Sequence, residues 1–153
     1  MKILVCSDSH NRVAHMKNAV AALAPDLILH LGDHDYDTVV LTDAFPHIPL
    51  RAVCGNCDYG SDNPPMADFV VADKRIVMTH GHRYQVKEGL SSLIRMGQEA
   101  NADLLLFGHT HRAHYEQIGT MHLCNPGSAA ESCALVEILD GEIVCRHITV
   151  DSF

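Results

Sequence analysis

Residues 3–6 form an unbroken apolar run, the pattern of a strand covered on both faces. After it, Val13, Met16, Ala19, Val20 and Leu23 recur at helical spacing, with Pro25 beyond the end of the predicted helix. Residues 27–31 and 48–54 are further strand-like runs, and a short helix is predicted over 38–44. Residues 58–67, rich in Gly, Asn, Asp and Pro, read as loop. Strands at 69–71 and 75–79 turn at Ala72-Asp73-Lys74. A second helix is predicted over 86–100, with Leu90, Leu93 and Ile94 on one face, and another buried strand at 104–107. The remainder is antiparallel in character. Short strands at 114–118 and 121–124 surround Gly119, Asn125-Pro126-Gly127-Ser128 reads as a turn, and strands at 133–139 and 142–150 flank Asp140-Gly141, a strong hairpin signal. The expectation is an α/β (α+β) domain over residues 1–153, with two packed sheets flanked by helices.

Composition adds one skew to an otherwise globular profile: twelve histidines, against eleven Lys and Arg together. The formal net charge of -8 disfavours binding to long nucleic acid, which needs cations to neutralise phosphates. It leaves a small phosphate ester open as substrate, because two divalent cations would add about four positive charges locally. The N-terminal apolar run is too short for a signal peptide, and no stretch reaches the ~20 apolar residues of a membrane span. Cys6, Cys54, Cys133 and Cys145 sit in strand-like runs, as reduced core cysteines of a cytoplasmic protein would.

The histidines gain meaning from position. Asp8, His10, Asp33, Asn56, His80, His109 and His111 each lie just after a strand-like run. In α/β sheets that edge is where ligands collect. Asp8 and His10 are two residues apart, as are His109 and His111, and in extended backbone such pairs point to the same side. Carboxylate, imidazole and amide together suit Mn, Fe, Zn or Ni better than Ca, which prefers oxygen alone. Gly32, Gly55 and Gly108 precede ligands where the chain must turn sharply or approach the site closely.

Asp8-Ser9-His10, Gly32-Asp33, Gly55-Asn56, His80-Gly81-His82 and Gly108-His109-Thr110-His111 together resemble the motifs of the calcineurin-like metallophosphoesterases. Gly55-Asn56-Cys57-Asp58 and Asn125-Pro126-Gly127-Ser128 are similar to its small single-domain phosphodiesterase branch, to which the vacuolar sorting subunit of retromer is also related. The resemblance implies a double-sheet sandwich with two metals at one edge, Mn²⁺ favoured, with Zn²⁺, Fe²⁺ or Ni²⁺ as alternatives. One metal would take Asp8, His10, Asp33 and His111, the other Asp33, Asn56, His80 and His109, with Asp33 bridging. The implied reaction is hydrolysis of a small phosphate ester by in-line attack of a metal-bridging hydroxide. A scaffold for protein interaction on the same fold, a phosphomonoesterase and a nuclease are the alternatives.

Many members of that family carry His after the Asn, where it serves the leaving group; here the residue is Cys57. A thiol is a weaker hydrogen bonder than imidazole. His82 and His34 are the candidate substitutes, and Asp58 is a candidate for orienting a ligand or moving a proton. His15, His47, His114, His122 and His147 read as ordinary partly buried histidines. Cys54 and Cys57 form a nominal CxxC, but a Pro- and Gly-containing loop follows where a redox motif expects a helix. Asn125 and Ser128 read as a tight turn. Asp35 and Asp37 read as a solvated loop beyond Asp33.

Overall fold

The computed structural model describes residues 1–153. The first apolar run becomes strand β1 (Lys2–Cys6), and its two faces bury different things. Ile3 and Val5 join one apolar cluster; Leu4 and Cys6 join another. Side chains alternate along a strand, so an all-apolar strand must be covered on both sides. Helix α1 (Val13–Leu23) covers the outer face with Met16, Ala19 and Val20. Strand β2 (Leu27–His30) pairs parallel with β1, helix α2 (Tyr36–Ala44) follows, and β3 (Leu50–Ala52) pairs parallel with β2.

A second sheet begins with the hairpin of β4 (Met66–Val71) and β5 (Lys74–Thr79). Its turn residues Ala72 and Asp73 have φ of 49° and 61°, the left-handed pair that matches strand twist. Helix α3 (Ser91–Glu99) leads to β6 (Leu104–Leu106), which pairs parallel with β5. Strands β7 (Ala113–Ile118) and β8 (Met121–Pro126) form a hairpin, and β8 also pairs parallel with β6. Strands β9 (Ser132–Leu139) and β10 (Glu142–Thr149) form the last hairpin.

The sheet orders are β10-β9-β1-β2-β3 and β4-β5-β6-β8-β7. Between the sheets lies the largest apolar cluster, holding Leu29, Leu31, Ile76, Met78 and Leu106. Val77, Leu105 and Phe107 face the other way, against Leu93 of α3. The layers therefore run helix, sheet, sheet, helix, as expected for the fold class. Strands β1, β2 and β3 all end at one edge, and so do β5, β6 and β8.

Four expectations need correction. The helix predicted over 86–100 covers only Ser91–Glu99, after a 3₁₀ turn at His82–Tyr84. Gln85 has a φ of 52°, Val86 is buried among the apolar residues beside α3, and Gly89 disfavours helix. The strand predicted over 48–54 is just three residues, because Cys54 N–H turns away to the Pro64 carbonyl at 2.9 Å. Asn125 and Pro126 belong to β8, so the turn there starts later than expected. The remainder is not wholly antiparallel: β8 pairs parallel with β6 in the second sheet, while β9 pairs antiparallel with β1 in the first. All six cysteines are free, with Cys6, Cys124 and Cys133 buried.

Leu29 is fully buried between the sheets. Leu29→Ala is expected to cost about 3 kcal/mol of stability, seen as a lower urea midpoint at unchanged slope. A loss well under ~1 kcal/mol would contradict a close-packed core at this position.

Candidate metal centre

The strand ends explain why distant residues meet. The chain leaves β1 into Asp8 and His10, β2 into Asp33, β3 into Asn56, β5 into His80, and β6 into His109 and His111. Ligating atoms of Asp8, Asp33 and His80 all lie within 4.8 Å of one another, and all three residues are buried. His80 Nε2 is 3.4 Å from Asp33 Oδ2, 3.7 Å from Asp8 Oδ1 and 3.1 Å from Asn56 Oδ1. His111 Nε2 is 3.3 Å from the same Asp8 oxygen, and His10 Nε2 is 3.3 Å from His111 Nδ1. The His80 and His109 ring centroids are 5.1 Å apart.

All seven predicted residues therefore come to one place, in two groups. His10 and His111 stand on the exposed side of Asp8; His80, His109 and Asn56 stand on the side of Asp33. The two candidate accessory histidines divide the same way. His34 lies 6.2 Å from His10, centroid to centroid, and His82 lies 5.4 Å from His80 and 6.1 Å from His109.

The mechanism expected for this convergence was extended backbone, and the structure shows something else. Asp8, His10, Asp33, His109 and His111 all have positive φ, between 49° and 70°. Left-handed backbone at non-glycine residues is uncommon and clusters at functional sites. Asp8-Ser9-His10 and His109-Thr110-His111 both alternate a left-handed residue with an ordinary one. Tight turns, not extended strands, aim these side chains.

Polar anchors hold those turns. Asp58 accepts four backbone N–H groups: Asp33 (2.8 Å), His34 (2.8 Å), Asp35 (3.0 Å) and Gly55 (2.7 Å). Both of its oxygens are engaged, so its geometry favours the orienting role over proton transfer. Asp8 Oδ2 accepts from Ser7 Oγ (2.5 Å) and from the His109 N–H (3.0 Å), which ties the β1 and β6 loops together. Buried Asn125 donates to Gly108 O (3.1 Å) and Thr110 Oγ1 (3.0 Å), and buried Ser128 donates to Asp8 O (2.7 Å). These two residues thus brace the ligand loops as well as shaping their own turn. Space is short throughout: a Cβ on Gly55 would meet Asp33 Oδ1, and one on Gly108 would meet Ser7 Oγ.

The sequence did not expose a second brace. His30 is fully buried, with Nδ1 accepting the Gly32 N–H (3.2 Å) and Nε2 facing buried Asp37 Oδ2 (3.2 Å). Asp37 is therefore not solvated loop, as read from sequence, but part of the support under Asp33. The one available signal was a polar His30 within an otherwise apolar strand. Asp35 accepts from Asn63 Nδ2 at 3.1 Å.

The electrostatics favour a cation. His80 Nδ1 lies 2.7 Å from the Leu31 carbonyl, which can only accept, so Nδ1 carries the proton. In the neutral ring Nε2 is then a lone pair aimed at the carboxylates, and in the protonated ring it is a donor to Asp33. Asp8 Oδ1 is buried without any hydrogen-bond donor, and His109 Nδ1 is buried without a partner. A buried carboxylate oxygen without a donor is costly unless a positive charge lies beside it. Burial pushes His80 down, but without a cation hydrogen bonding to Asp33 and the charges of Asp8 and Asp33 outweigh it and hold the ring above its ordinary pKa; a cation at Nε2 would take that proton's place. Burial pushes Asp33 up, and hydrogen bonds from His80 and the Cys57 N–H hold it well below the usual carboxylate range. Burial, with the charge of His80, pushes His109 and His82 down, toward the neutral form that ligates metals. The donor set fits divalent cations.

Cys57 sits at the rim, exposed, with its N–H on Asp33 Oδ1 at 2.9 Å and its thiol 3.6 Å from Asn56 Nδ2. Burial and the nearby Asp33 carboxylate push its thiol pKa up. Of the histidines read as ordinary, His147 contacts the Asn125 carbonyl (2.6 Å), His122 the Tyr115 hydroxyl (2.7 Å) and His114 the Glu116 carboxylate (3.2 Å).

These features define the class, a two-sheet α/β sandwich with a metal-binding centre where the parallel strands of both sheets end. Residues 1–141 match the calcineurin-like phosphoesterase superfamily domain, and the chain belongs to that family. It is 33% identical over 153 residues to a probable metallophosphoesterase of Methanothermobacter thermautotrophicus, covering 93% of this chain and 88% of that protein. It is 24% identical over 144 residues to a phosphodiesterase of Methanocaldococcus jannaschii, covering 83% of each. The structure of a predicted phosphoesterase from Streptococcus pneumoniae superposes with a TM-score of 0.81 at 25% identity, over 98% of this chain and 90% of that one.

Removing the Asp58 carboxylate frees four backbone donors from two loops. Asp58→Ala is expected to lower stability by about 3 kcal/mol and to weaken Mn²⁺ binding about 10- to 100-fold, with Asp58→Asn intermediate. Urea melts and metal titration measure both. Parent-like stability and affinity in Asp58→Ala would remove Asp58 from the support of the centre.

Proposed function

We propose that this chain is a metal-dependent phosphodiesterase of small phosphate esters, with two divalent cations held by Asp8, His10, Asp33, Asn56, His80, His109 and His111. The observation that carries the reading is Asp8 Oδ1, buried without a donor while imidazole nitrogens of His111 and His80 face it at 3.3 and 3.7 Å. Asp33 is the residue assigned to both cations. Mn²⁺ is the favoured ion and Zn²⁺, Fe²⁺ or Ni²⁺ the alternatives, as mixed oxygen and imidazole donors suit this series. Bound cations supply Lewis-acid polarisation of the ester phosphate and an acidified water.

The protein's own residues do the rest. Asp58, Asn125, Ser128 and the His30–Asp37 pair hold the donors in place, so binding needs little rearrangement. His34 and His82 line the two sides of the centre as hydrogen-bonding imidazoles. The preference for diesters draws support from the M. jannaschii relative, whose name is phosphodiesterase. The alternative of a protein-interaction scaffold draws less, because a scaffold need not keep every donor, and here all seven are present.

Hydrolysis of a bis-aryl phosphate with added Mn²⁺ tests the reading. Asp33→Asn and His109→Ala are each expected to lower kcat/KM by at least about 100-fold. Absence of Mn²⁺-dependent turnover in the parent would sink the enzyme reading, and turnover surviving both substitutions would sink the ligand assignment.

The leaving group needs a proton, and the residue after Asn56 offers only the thiol of Cys57, a weak donor. Esters with good leaving groups should therefore be preferred. Cys57→His is expected to speed hydrolysis of alkyl esters by about tenfold or more, with little gain on aryl esters. Equal alkyl rates in parent and variant would remove this explanation.

A further inference from the structure

Beside the metal centre lies a cavity of about 570 Å³, within the usual range for small-molecule sites. It opens between the segment preceding α3 and the loop that carries His109 and His111. Thr110, the residue between those two histidines, lines it. Val86, Leu90 and Phe107 give it an apolar wall. Val86 packs so closely behind the His80-Gly81-His82 loop that a Cβ on Gly81 would come within 3.0 Å of Val86 Cγ2. The cavity and the centre thus share a wall on each side.

Two cations line the same cavity from opposite elements: Lys87 from the segment before α3, and Arg112 from the end of the ligand loop. Neither has an acidic partner; the arginine ion pairs of this chain are Arg75–Asp68 and Arg146–Glu137, and no lysine is paired. In a chain of net charge -8, with eleven Lys and Arg, two unpaired cations on one cavity are a concentrated positive feature. Positive charge at a cleft recruits anions, and guanidinium suits carboxylate and phosphate alike.

We propose that this cavity seats the organic part of the ester and that this part carries a second anionic group, a carboxylate or a phosphate, on an apolar body. The apolar wall takes the body. Lys87 and Arg112 take the anion. The scissile phosphate then lies over the neighbouring donors. The proposal rests on the phosphoesterase reading of that centre for the reaction, but not for the binding.

Two arms separate these claims. In the first, the full chain loaded with diamagnetic Zn²⁺ is titrated with benzoate, phenylphosphonate or uncharged benzyl alcohol while backbone amide signals are followed. Both anions are expected to shift Val86, Phe107 and Ala113 and to bind at least about tenfold more weakly to the Lys87→Ala/Arg112→Ala double variant. Binding of one anion alone identifies the source as carboxylate or phosphate. Benzyl alcohol binding as tightly as both anions, or anion binding that survives the double substitution, overturns the proposal. In the second arm, kcat/KM with Mn²⁺ is compared for phenyl, carboxyphenyl and phosphophenyl diesters. The ratio of anionic to neutral substrate is expected to fall about tenfold or more in the double variant. Turnover without an anion preference overturns the pocket and spares the phosphoesterase reading. No turnover, with anion binding intact at the cavity, overturns the phosphoesterase reading and spares the pocket.

Discussion

At the centre of this molecule, acceptors face acceptors. Asp8, Asp33, Nε2 of His80 and the carbonyl of Asn56 converge within a few ångströms, and Asp8 Oδ1 has no donor at all. In a buried setting such an arrangement is unfavourable by itself. It persists because each acceptor is fixed from behind. The Leu31 carbonyl holds His80, the Ser7 hydroxyl and His109 N–H hold the far oxygen of Asp8, and the Cys57 N–H holds Asp33. Each ligand spends one polar atom on its support and leaves the other directed inward. The negative field that results is the property from which the chemistry of the site follows.

The topology makes this support available. Because β1, β2 and β3 end at the same edge as β5, β6 and β8, loops from both sheets come within hydrogen-bonding distance. The braces run across that seam. Ser128, after β8, reaches Asp8 after β1; His80, after β5, reaches Leu31 after β2. The largest apolar cluster lies directly between the same strands. The sheet-to-sheet core and the centre therefore depend on each other: loss of register in either sheet would move ligands as well as core residues.

What the sequence revealed follows from what is local. Apolar runs and length located the strands, and the residue types after each strand end picked out seven residues that the fold brings together. What it hid is long-range or conformational. The left-handed backbone at Asp8, His10, Asp33, His109 and His111 leaves no mark on composition, since Asp and His are tolerated there without being required. The roles of Asp58, Asn125 and Ser128 depend on partners 25, 15 and 120 residues away. The His30–Asp37 pair looked like a strand residue and a solvated loop residue until burial joined them. Helix α3 was overextended because Val86 fits the apolar spacing while its backbone does not continue the helix. Hairpin β9–β10 was legible as a hairpin, but its place beside β1 is a matter of which apolar edge it covers.

The strain also bears on the choice between enzyme and scaffold. A left-handed residue that is not glycine costs about 1 kcal/mol, and five of the seven donors are left-handed. To this is added the cost of Asp8 Oδ1, a buried acceptor without a partner. Against a typical net stability of about 5–15 kcal/mol, these are large terms to carry in a surface that merely docks another protein. Under the proposed assignment, divalent cations would engage all seven donors and return free energy on binding. The left-handed turns fix where the donors point before a cation arrives, and preset geometry matters when a phosphate must be held in line with its attacking group.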